Sequence, residues 1–118
     1  MSNFVLTLEL KTEKWQEDIL DKRFNIGRQI YNACLGELYK RYNTMTQRKE
    51  YNKVLEMPKD KDRNKEFNKL NKKYGLTEYS LHKYVKPMQH YFKKNIDSFT
   101  AQKIATRAFR AFEKASKR

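Results

Sequence analysis

From Phe4 to Leu10 apolar and polar positions alternate, with Phe4, Leu6, Leu8 and Leu10 on one side and Val5, Thr7 and Glu9 on the other. That period of two predicts a β-strand. A lone strand leaves its backbone unpaired and one apolar face open. It therefore calls for a partner: another chain, a second copy, or a larger protein of which this is a part. After Lys11 the period becomes helical. Thr12 can cap a helix starting at Glu13, and Glu13, Glu17 and Asp18 suit the positive end of its dipole. Trp15, Ile19, Ile26, Ile30, Cys34 and Leu38 then recur at helical spacing to about Tyr42. Arg23 intrudes on that stripe and predicts a break near Asp21 to Phe24. Gly27 costs about 1 kcal/mol against alanine in mid-helix and permits close approach of another helix.

Residues 43–57 read as a weaker helix with Tyr51, Val54, Leu55 and Met57 as its apolar side, ended by Pro58. Lys59 to Arg63 is a charged connector. Asp62 can cap a short helix carrying Phe67, Leu70 and Tyr74, which Gly75 stops. Thr77 caps the next, whose packing candidates are Tyr79, Leu81, Tyr84, Val85, Met88, Tyr91 and Phe92. Pro87 should kink or divide it. Asn95 to Asp97 forms a short turn, and Asp97 or Ser98 caps the last helix. The expected fold is mainly α, in a single domain over 1–118: an N-terminal strand in 1–11, then a bundle of about four to five helices in 12–118.

The last helix, Asp97 to Lys117, is the most sharply sided. Lys103, Arg107, Arg110, Lys114 and Lys117 fall within about 80° of one another at 100° per residue. Ala101, Ala105, Ala108, Phe109, Phe112 and Ala115 lie opposite. Glu113 is the one acid after Asp97. Like charges at these spacings repel, so the stripe points to an anionic partner; a solvated basic face is the alternative.

Charge extends that picture. The 118 residues carry 27 Lys and Arg against 14 Asp and Glu, a net +13. Phosphate polymers are the usual partner of such a surface. The excess is uneven: +1 over residues 1–42, +5 over 43–76 and +7 over 77–118. Aromatics make up 14% of the chain, which argues against disorder. The single cysteine excludes an internal disulfide and a cysteine-based zinc site. No apolar run is long enough to span a membrane and no secretory signal opens the chain, so an intracellular setting, bacterial or that of a phage or mobile element, is expected.

No catalytic constellation stands out. Cys34 falls on the apolar stripe of the first long helix and reads as a packing residue. His82 and His90 lack further ligands at metal spacing. The three glycines are isolated, so there is no phosphate loop. No enzyme, cofactor or metal is expected. Lysines interleaved with aromatics suit single-stranded or A-form nucleic acid, with cations on phosphates and tyrosines on bases. Lys72, Lys73, Lys83, Lys93 and Lys94 join the stripe as phosphate candidates, and Tyr84 and Tyr91 are the stacking candidates. Core packing is the competing role for both rings.

Two segments resemble the N-terminal region of the transposon-encoded TnpB family and its descendants, the type V CRISPR effector nucleases. The first runs from Phe24 through Gly27, Arg28, Tyr31 and Asn32 to Leu35 and is similar to the family's Phe-Gly-x-x-Arg-x-x-Tyr-Asn-x-x-Leu signature. It departs from it in the two residues between Phe24 and Gly27. The second, Ile96-Asp97-Ser98-x-x-Ala101-Gln102 continuing to Ala111-Phe112, is similar to its Leu-x-Ser-x-x-Ala-Gln segment. The resemblance implies a wedge-type strand whose barrel partners lie outside this sequence, and helices of a recognition lobe that holds a guide RNA–target DNA heteroduplex. It carries Arg28, Tyr31, Asn32, Ser98 and Gln102 over as candidate binding residues. The nuclease acids and zinc element of that family's later domain have no counterpart here.

The leading expectation is thus a non-catalytic recognition module that contacts the backbone of RNA or of an RNA–DNA heteroduplex. One alternative is a free-standing regulator, such as an anti-CRISPR protein derived from a nuclease fragment. It would bind a type V effector, or a second copy, through Phe4–Leu10, or compete for guide RNA. Another is a helical DNA-binding transcription regulator whose last helix enters the major groove.

Overall fold

The computed structural model describes the backbone of residues 3–116 and the side chains of residues 17–116. Five helices follow one another: α1 (Asn3–Thr46), α2 (Lys49–Leu55), α3 (Lys61–Lys73), α4 (Glu78–Tyr91) and α5 (Ser98–Ser116). The chain is mainly helical, as the periodicity requires, and no strand occurs among the described residues.

The largest departure from expectation is at the N-terminus. Residues Phe4 to Leu10, expected to be a strand, belong to α1, and so does Thr12, expected to cap it. Nor is there a break between Asp21 and Phe24. The physical reason is the backbone. A strand satisfies its N–H and C=O groups only through a neighbour, and no second strand occurs among the described residues. Extending an existing helix adds one internal bond per residue. Arg23 breaks nothing because this part of α1 is not packed: Glu17, Asp18 and residues 20–25 are all exposed.

Packing begins at Ile26. Ile26, Ile30, Cys34, Leu38 and Met45 of α1 are buried against Leu81 and Val85 of α4 and Ala101, Ala105, Ala108 and Phe112 of α5. The three alanines put only a methyl between α5 and its neighbours, and Phe112 closes the far end. Tyr39 and Tyr42 meet Phe112 edge-on, with centroids at 5.4 and 5.7 Å. Gly27 lies under Ile104, where an added Cβ would be 3.6 Å from Cδ1. That is ordinary contact, so the approach of α5 does not require glycine.

α2 and α3 form a small pair at the C-terminal end of α1, closed by Tyr51, Val54, Phe67 and Leu70. Asp60, not Asp62, caps α3, because its side chain accepts from the Arg63 N–H at 3.0 Å. Gly75 ends α3 at φ +73°. Thr77 caps α4 by accepting from Ser80 N–H at 3.2 Å. Pro87 does not divide α4, which runs on to Tyr91. The proline is exposed and removes one hydrogen bond, while Leu81, Val85 and Met88 stay packed on the other side. Asp97 caps α5, taking the Thr100 N–H on its carboxylate at 2.6 Å.

Candidate nucleic-acid interface

α5 is pinned on both flanks, and this fixes where its cations go. Toward α1 it presents Ile104; toward α4 it presents Thr106. The Thr106 hydroxyl donates to Glu78 at 2.7 Å, so the His82 Nε2 located 2.9 Å from the same oxygen must be the donor to it. His82, expected at the surface or against nucleic acid, is a half-buried tie between α4 and α5. With both flanks held, Lys103, Arg107, Arg110 and Lys114 are all exposed on the side away from the core. Among the described residues none of the four is ion-paired. They cover about 16 Å of helix axis at 1.5 Å per residue. Lys103 lies over the exposed Phe99 ring, 4.5 Å from its centroid. Lys117 lies outside the described residues.

The Asp97 carboxyl is held below its usual value by the Thr100 backbone N–H and then by the Thr100 side chain. It therefore stays charged at the start of α5, where the dipole favours an anion.

The two segments that carry the resemblance are packed side by side. Arg28 and Tyr31 of α1 share a groove of about 940 Å³ with Lys93 and Lys94 of the α4–α5 turn and Arg107 of α5. Its apolar lining comes from Leu20, Phe24, Ile96 and Ile104. Asn32 is exposed and Gln102 is half-buried; neither lines this groove. The sequence reading missed Leu20 and Phe24 as groove residues. The signal available was their spacing with Gly27 and Tyr31, which repeats every three or four positions.

A second basic recess, shallow and open, brings together Lys72, Lys73, Lys83 and Tyr84 with Arg41. Its cations are partly committed. Lys73 pairs with Glu50 at 3.0 Å, and Lys83 lies 4.7 Å from the Tyr79 ring centroid. Arg41 donates to Glu37 at 3.1 Å and to the Gly75 carbonyl at 2.9 Å, and sits over the Tyr84 ring. Tyr84 is half-buried against the core, and that desolvation raises its phenol pKa. One face of this ring is occupied. Tyr91 differs: it is 82% exposed and meets Phe92 edge-on at 4.8 Å.

No cluster of His, Cys, Asp or Glu suited to a metal occurs among the described residues, and no helix there is long and apolar enough to cross a membrane. Comparison of the chain with protein-family models, curated proteins and solved structures finds no match.

Proposed function

We propose that this protein is a non-catalytic nucleic-acid-binding module whose outer α5 face follows a phosphate backbone. The observation that carries the reading is the set of four cations exposed on one side of α5, Lys103, Arg107, Arg110 and Lys114, none of them ion-paired among the described residues. Keeping like charges at i,i+3 and i,i+4 with so few acids beside them costs stability, and an anionic backbone offsets that cost. Lys93 and Lys94 extend the surface past the N-terminus of α5, and Tyr91 offers an open ring nearby in sequence for stacking. The resemblance of the Phe24–Leu35 and Ile96–Phe112 segments to the recognition lobe of RNA-guided nucleases favours a guide RNA or its heteroduplex with DNA, held by backbone contacts.

The test is equilibrium binding to single-stranded RNA and to an RNA–DNA heteroduplex across a salt series. Affinity should fall linearly on a log–log plot, with a slope of about 0.7–0.9 for each phosphate contact. Replacing Arg110 and Lys114 by glutamine should flatten the slope by about 1.4–1.8, two contacts' worth. Binding that ignores salt, or a slope unchanged in this variant, would overturn the reading.

A further inference from the structure

The groove beside α1 has a different character from the outer face of α5. Leu20, Phe24, Ile96 and Ile104 give it an apolar side between its cations, and Leu20 and Phe24 are 60% and 66% exposed on a stretch of α1 that no other described helix covers. Leu20, Phe24, Gly27 and Tyr31 fall within about 60° of one another, a continuous stripe that leads from the uncovered part of α1 onto the bundle. We propose that this stripe is a self-complementary pairing surface, on which a second copy of the chain docks with its α1 antiparallel.

The charge order along the helix selects that occupant. Glu17 precedes the middle of the exposed stretch and Arg28 follows it, while Asp18 and Lys22 lie at the back of the helix and Arg23 on its other flank. Turning the helix end for end about a two-fold axis near residue 22 sets Leu20 level with Phe24 of the second copy. It also sets Glu17 level with residues 27 and 28. Glu17 and Arg28 lie on the same flank of the stripe, about 60° and 80° from Leu20. A two-fold axis of this kind keeps like flanks together, so Glu17 meets Arg28 of the second copy, twice over. A parallel pair brings opposite flanks together, so Glu17 and Arg28, which share a flank, could not meet in it. Gly27 adds no bulk under the crossing.

This inference is independent of nucleic-acid binding, and its test uses nuclease-treated protein free of nucleic acid. Sedimentation equilibrium over a concentration series should give a dimer that dissociates on dilution. Phe24→Asp should be monomeric, with helicity and thermal midpoint retained because the side chain is exposed in the monomer. Arg28→Glu should weaken the dimer about tenfold, and adding Glu17→Arg should restore it, since charge pairs across an interface fix register. A monomer at every concentration, a dimer indifferent to Phe24→Asp, or a charge swap that fails to restore pairing would overturn the proposal. So would assembly that vanishes on nuclease treatment, which would make Phe24 a platform for bases instead.

Discussion

Gly75 and Gly36 are the same residue in opposite situations. Gly75 sits at φ +73°, where a side chain is strained, and a Cβ there would lie 2.8 Å from the Arg41 guanidinium that donates to the Gly75 carbonyl. The turn depends on it: Leu76 N–H reaches Asn71 C=O at 2.7 Å and Gly75 N–H reaches Lys72 C=O at 3.3 Å, satisfying the end of α3. Gly36 is in the interior of α1, with nothing within 4 Å of an added methyl. Gly75→Ala should destabilise by about 1–2 kcal/mol or more through the left-handed backbone. Gly36→Ala should stabilise by about 0.5–1 kcal/mol by restricting the unfolded chain and favouring helix. Urea denaturation of both variants checks the signs, and equal signs would mean that one backbone conformation is misassigned. The sequence announced Gly75 by its place after an apolar helix. It could not announce that Gly36 is free of neighbours, because that depends on where α4 and α5 lie.

The α2–α3 pair shows what fixes a small element with little core of its own. Glu50 of α2 accepts from Lys73 at 3.0 Å and from the Tyr74 hydroxyl at the end of α3. These two partners, Tyr74 first and Lys73 second, hold the Glu50 carboxyl below its usual value. Lys73 and Tyr74 are shifted upward, each chiefly by its hydrogen bond to Glu50. A carboxyl whose folded value is depressed contributes stability above its unfolded value, about 4.3, and that contribution is lost as pH falls through the folded value. The raised lysine and phenol contribute below their unfolded values, near 10, and lose it as pH rises through the folded ones. Glu50→Gln should therefore weaken the pair on the plateau between these limits and flatten the acid limb of a stability–pH curve. An unaltered acid limb in the variant would show that Glu50 is not coupled to folding. Lys73 was readable from sequence as one more cation for phosphate; its commitment to an acid 23 residues away was not.

For the whole molecule, Cys34 is the natural reporter. It has no exposed surface, lies among α1, α4 and α5, and burial pushes its thiol up to about 11. Near neutral pH the thiol is protonated and out of reach, and the thiolate is the nucleophile. Alkylation of the native protein should be very slow and should accelerate in step with global unfolding in urea. Reaction at the rate of a free thiol would mean that the three-helix core opens on its own. α1 alone sets the length of the molecule, since 44 residues of helix span about 66 Å against a longest extent of 73 Å.

What the sequence determined by itself was local. The helical stripe from Ile26 to Leu38, Thr77 as a cap, Gly75 as a stop and the two sides of α5 all follow from spacing and backbone chemistry within a few residues. The sidedness of α5 is the clearest case, because alanines at one side and cations at the other admit one way to bury the helix. Tertiary structure decided the rest. Phe4–Leu10 alternates like a strand, but a strand is a property of two segments, and with no second one among the described residues they join α1. Tyr84 and Tyr91 look alike beside their lysines, yet one is half-buried under Arg41 and the other stands in solvent. Leu20 and Phe24 became an uncovered wall only because α4 and α5 reach no farther along α1. Helical periodicity says which residues share a side; only the packing of distant segments says whether that side is covered.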